Sequence, residues 1–168
     1  MKKIFMLLML LVSIGCYAQQ DSILSNCSFN MDNGRMTLTN VEIVNNTSAI
    51  VLYNRALNWI SSTYKNPEYV IKSKDKDAGY IIFEGYSIDG TITSKMDLRF
   101  KDNKFKWIIT DFTFKAGKLA EYGIKDAPLE AVPRYDLKVD QVIIQLKKDC
   151  KDYIDSFRKY MFKDTDNW

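Results

Sequence analysis

The chain has 168 residues, 46% of them hydrophobic, 27% charged and 13% aromatic, with a formal charge of +3 and no histidine. That composition is globular and excludes a disordered tail, and the length suits one domain with a single buried core. A charge this close to neutral excludes strong polyelectrolyte attraction to nucleic acid.

At the start, Lys2 and Lys3 precede an apolar run from Ile4 to Val12, and small residues lead to a break in hydrophobicity at Gln19. This is the order of a secretory signal, and the run is far shorter than the roughly 20 apolar residues of a spanning helix. Two exits compete. Cys16-Tyr17-Ala18 places small residues where a signal peptidase needs them and favours a cut after Ala18. Ser13-Ile14-Gly15-Cys16 resembles a bacterial lipobox, with Ser13 where a branched apolar residue is expected, and would lipidate Cys16. The expected organisation is a signal peptide over 1–18, a flexible N-terminal arm over 19–35 and a single α+β domain over 36–168. Loss of Lys2 and Lys3 takes the charge from +3 to +1. In an oxidising compartment Cys27 and Cys150 are able to bridge, but sequence supplies no disulfide geometry, and a buried thiol at Cys150 is the plain alternative.

Downstream, Met36 to Val44 alternates like a strand, with a phase shift near Asn40. Asn45-Asn46-Thr47-Ser48 offers helix caps. Ala49, Leu52, Tyr53, Ala56, Ile60 and Tyr64 then keep helical spacing until Asn66-Pro67. Four strand-like runs follow: Glu68 to Lys74, Ala78 to Ile88, Thr91 to Lys101 and Phe105 to Lys115. Asp75-Lys76-Asp77, Asp89-Gly90 and Asp102-Asn103 separate them, and such short turns imply antiparallel hairpins. In the third run Ile92, Met96, Leu98 and Phe100 share one face, while Lys95, Asp97 and Arg99 share a wet one. A parity slip near Asp111 calls for a bulge at Thr110-Asp111. Ala116 to Arg134 reads as a long loop crossing back over the sheet. Val139, Val142, Ile143, Leu146, Cys150, Tyr153, Ile154, Phe157 and Met161 mark a closing amphipathic helix.

The order β-α-β-β-β-β-α predicts a two-layer α+β domain, a curved antiparallel sheet with both helices on one face. The stretch from Leu52 to Ile88 carries Ala56 and Trp59 on the helix and Asp75, Gly79, Ile81 and Gly85 in a D-x-x-x-G-x-I-x-x-x-G hairpin, followed by the pair Asp111-Phe112. In these residues the chain resembles the exported bacterial family called domain of unknown function 4468. The resemblance implies a TATA-binding-protein-like fold and an exported location, and it brings no catalytic residues.

Nucleic acid is not an expected partner: the open face is mixed in sign, lacks the apolar wedges that pry base steps apart, and belongs to an exported chain. No Asp, His or Cys cluster has metal-ligand spacing and no glycine-rich phosphate loop is present, so no cofactor or metal is expected. Trp59 and Trp107 read first as core aromatics. Asp111, among aromatics, is the weak catalytic candidate, since an apolar setting disfavours ionisation and would make it an acid. The leading expectation is a non-enzymatic module of the periplasm or cell envelope, binding a ligand or protein through Lys95, Arg99 and Lys106 or through the long loop. The alternatives are a small envelope hydrolase using Asp111 and a structural outer-membrane lipoprotein tethered at Cys16, which alone would bring a membrane partner.

Overall fold

In the computed structural model, which describes residues 30–32, 34–87, 91–117, 125–131 and 137–163, the alternating runs form one curved antiparallel sheet. Its strands are β1 (Asn30–Asp32), β2 (Arg35–Ile43), β3 (Ile71–Asp75), β4 (Tyr80–Ser87), β5 (Ile92–Lys101), β6 (Lys104–Phe114) and β7 (Ala127–Pro128). The helices are α1 (Ala49–Thr63), α2 (Pro67–Val70) and α3 (Leu137–Met161). Across the sheet the order is β1-β2-β6-β5-β4-β3, with β7 beside the end of β6. The segment before Asn30, with Cys16 and Cys27, and the turn Asp89-Gly90 lie outside the described residues.

The α+β class read from the sequence holds, because period 2 in the strands and period 3.6 in the helices turn their apolar sets toward one layer. From α1, Leu52, Ala56, Trp59 and Ile60 are fully buried; from α3, Leu146, Ile154, Phe157 and Met161 meet them over Ile81, Phe83, Leu98, Phe105 and Trp107. Trp59 anchors the seam, its ring 5.0 Å from both Tyr153 and Phe157, and its indole N–H donates to Ser156 Oγ at 3.2 Å. Edge-to-face and tilted packing of this kind adds about 0.5–1.5 kcal/mol per pair beyond area burial. Trp107 is also fully buried, as expected of a core aromatic.

Local chemistry moves several predicted boundaries. The run from Glu68 begins as one helical turn, α2, because Pro67 is preset for the first helical position, and extension starts only at Ile71. The long loop is not all loop: Ala127 and Pro128 pair with Phe114 and Thr113, and Leu129 buries its side chain in a single 3-10 turn. The cap of α1 also differs. Ser48 stands at the N-cap but its side chain makes no capping bond; Asp102, at the β5–β6 turn, accepts the Ala49 N–H at 2.8 Å. Asn103 beside it sits at φ 63° and accepts the Thr47 N–H at its side chain, 3.2 Å away.

The predicted bulge is present. Thr93 faces Thr113 and Lys95 faces Thr110, so Ser94 opposes both Asp111 and Phe112. Asp111 takes the left-handed conformation, φ 54°, while Phe112 stays fully buried.

The glycine-bearing hairpin is likewise architecture. Asp75 Oδ1 accepts the N–H groups of Asp77 and Ala78 at 2.9 and 2.8 Å, closing the turn. Gly79 lies at φ 68°, where a Cβ would stand 2.8 Å from the Phe100 carbonyl oxygen. Ile81 fills the core. Gly85 leaves room for two phenols: a Cβ there would meet Tyr153 Oη at 2.9 Å and Tyr64 Oη at 3.1 Å. Those hydroxyls hydrogen-bond each other.

Candidate functional site

With the helices on one face, the other face of the sheet is open, and strand register decides what shares it. Tyr80 faces Arg99, and Arg99 faces Lys106, which faces Val41; Lys101 faces Lys104, which faces Ile43. The odd parity of β2 therefore brings Val41 and Ile43, 50% and 58% exposed, against a row of cations. Val41, Arg99, Lys101, Lys104, Phe105 and Lys106 line a hollow of about 220 Å³ at this corner.

The cations are not equivalent. Arg99 grips Asp97 with two bonds, Nε to Oδ1 at 2.7 Å and Nη2 to Oδ2 at 2.8 Å, and its guanidinium lies 4.9 Å from the centre of the Tyr80 ring. The Asp97 hydrogen bonds raise its pKa further above an already high value. Lys101, Lys104 and Lys106 have no carboxylate partner among the described residues. Three unneutralised ammonium groups beside aliphatic surface are able to hold an anion whose stem is apolar.

Of the three binding residues read from the sequence, Arg99 and Lys106 are brought together. Lys95 is not; it lies nearer the bulge, 3.5 Å from Asp111 Oδ2. Sequence reading missed Lys101, Lys104, Val41 and Ile43. The usable signal was the alternation of β2 itself, since Met36 and Leu38 share a parity that leaves Val41 and Ile43 outside. Their meeting with the lysines depends on the β2–β6 register, which no local pattern carries.

The expected apolar setting of Asp111 is corrected. Its carboxylate meets Arg35 Nη1 at 2.6 Å as well as Lys95, because the bulge turns it out from the sheet. Ion pairs to two side chains replace the apolar surroundings on which the catalytic reading rested. Beside it, Arg35, Asp111, Phe112, Thr113, Pro128 and Glu130 line a second hollow of about 270 Å³. Glu130 is committed there to the Met36 N–H, 2.6 Å away. Cys150 is buried and has no disulfide partner among the described residues, and burial pushes its thiol pKa up to about 12. Among the described residues no group of three or more metal-ligating side chains gathers.

A curved antiparallel sheet carrying α1 and α3 on one face defines an α+β domain of TATA-binding-protein-like fold. Residues 38–115 match the family model "Domain of unknown function (DUF4468) with TBP-like fold", a span that contains every motif residue from Ala56 to Phe112. The family resemblance seen in the sequence therefore holds. Two solved structures are similar. One is a TBP-like protein from Parabacteroides distasonis ATCC 8503, at TM-score 0.57 and 16% identity, covering 80% of this chain and 94% of that one. The other is a DUF4468 family protein from Bacteroides ovatus ATCC 8483, at TM-score 0.56 and 12% identity, covering 83% of this chain and 93% of that one. At such identities the likeness establishes the fold. No curated protein matches the sequence.

Proposed function

We propose that the chain is an exported cell-envelope module that binds an anionic ligand or protein partner through the open face of its sheet, without catalysing a reaction. The observation that carries this reading is the corner where Lys101, Lys104 and Lys106, without carboxylate partners among the described residues, surround a hollow beside exposed Val41 and Ile43. Like charges on neighbouring strands destabilise one another, so a cluster of this kind costs stability unless a partner offsets it. The motif residues are occupied with turns and packing, and Asp111 is held between two cations. Export rests on the order of charge, apolar run and small residues over 1–18.

Retention of the mature protein on immobilised polyglutamate, compared with polyglutamine, tests the binding. Salt-sensitive retention on polyglutamate alone is expected, with loss in the triple variant Lys101→Gln, Lys104→Gln, Lys106→Gln. Retention unchanged in that variant would refute this face as the site. Export is checked by the intact mass of the protein from its native host. A chain starting at Gln19 is the expected product; an acylated Cys16 would replace the soluble module by a tethered one, and an uncut chain would overturn export.

A further inference from the structure

Apolar side chains scattered singly over a surface need no explanation, but a pair on one strand face does. Ile50, Tyr69, Ile144 and Phe162 are exposed singly, on helices or just past the end of one. Val41 and Ile43 differ. They are alternate residues of β2 and share its open face, where the pleat puts them whatever lies along the outer edge of the strand.

The open face beside them is a grid. One row runs Tyr80, Arg99, Lys106, Val41, and the next runs Lys101, Lys104, Ile43. Lys101 and Lys104 are direct partners next to the β5–β6 turn, roughly 5 Å apart at Cα, and Lys104 and Lys106 are alternate residues of β6, roughly 7 Å apart. Stems rooted this closely let the three ammonium groups converge on one bound group. None of the three is in an ion pair among the described residues. Asp97, on the neighbouring row, is held by two bonds from Arg99 and so does not cancel their field.

The valence of the anion follows from this arrangement. A carboxylate brings one charge and two acceptor oxygens, which leaves two of three neighbouring ammonium groups uncompensated. A phosphate monoester near neutral pH brings close to two charges and three terminal oxygens, one for each lysine. Its remaining oxygen carries the ester stem, and Val41 and Ile43, opposite Lys106 and Lys104, form an aliphatic wall along which a stem can lie. The hollow of about 220 Å³ at this corner suits a small molecule. We propose, resting on the open-face reading, that the ligand is a soluble phosphate monoester with an aliphatic stem, its phosphate held by Lys101, Lys104 and Lys106 and its stem laid on Val41 and Ile43.

Hexyl phosphate, titrated calorimetrically into the full mature chain, is the probe, with inorganic phosphate and hexanoate standing for the head and the stem alone. Hexyl phosphate is expected to bind about tenfold or more tighter than either, since methylenes leave water and a second charge is matched. Its affinity should fall from about pH 8 to about pH 5, because the phosphate takes up a proton near pH 6 while the lysines stay charged. Val41→Thr with Ile43→Thr should erase the advantage over inorganic phosphate, and Lys104→Gln with Lys106→Gln should erase the advantage over hexanoate. All four side chains are exposed, so these changes leave the core untouched. Hexyl phosphate binding no tighter than inorganic phosphate, or than hexanoate, would overturn the proposal; retention on polyglutamate would then leave the open-face site standing. Binding to vesicles containing phosphatidic acid without binding to dissolved hexyl phosphate would make the face a membrane contact and would also overturn it. Failure of hexyl phosphate and polyglutamate alike would remove the two readings together.

Discussion

Arg158, in the last helix, donates from Nε to Oε2 of Glu42 at 2.7 Å, joining residues 116 apart through the interior of the domain. The other carboxylate oxygen accepts the Trp107 indole N–H at 2.8 Å, so both sides of this carboxylate are engaged. The Glu42 side chain is 5% exposed and that of Arg158 19%. Removing one member of such a pair leaves the other desolvated without compensation. Glu42→Ala should lower stability by about 3 kcal/mol in urea unfolding. Glu42→Ala combined with Arg158→Met should cost less than the two single changes together. Additive losses would mean that the pair does not act as a unit.

Gly85 lies under the hydroxyls of Tyr64 and Tyr153. Gly85→Ala is expected to cost about 1–3 kcal/mol, the usual penalty for a methyl forced into a filled core. Tyr153→Phe removes the nearer oxygen and should recover much of that loss in the double variant. No recovery would place the cost in the backbone of β4 instead.

How legible this was in the sequence differs by element. The layer order, both main helices and the bulge followed from period, turn residues and a parity slip, all local signals. The helical start at Pro67 was written in the proline itself and was overruled by the apolar run after it. By contrast, Glu42 shares the parity of Met36 and Leu38, yet nothing near it in sequence names Arg158 or Trp107 as its partners. The basic corner was hidden for the same reason: Val41 and Ile43 meet Lys106 and Lys104 only through long-range register.

Asp102 supplies the helix cap that Ser48 does not. Asp102→Ala should destabilise the domain by about 1 kcal/mol, whereas Ser48→Ala, usually the damaging change at an N-cap, should have little effect. Thermal unfolding of the two variants side by side checks the assignment, and the reverse order would refute it.

Alkali should loosen the fold. Burial raises the Cys150 thiol from an ordinary 9.0 to about 12, and burial with the neighbouring phenol raises Tyr153 well above 10.0. The native state keeps these protons at pH values where the unfolded chain has lost them, so stability falls as pH rises from about 9 toward 12. Urea midpoints across that window should decline, and less steeply in Cys150→Ala. An unchanged slope would remove the thiol from the effect.

The bond from Ala49 to Asp102 spans 53 residues. A chain made from its N-terminus completes α1 long before the aspartate that finishes it has been synthesised. Until the β5–β6 hairpin emerges, the helix must wait with its first turn uncapped, so an excised peptide of α1 alone would lack part of its own end. The start of the helix is therefore completed only when the hairpin is in place beside it.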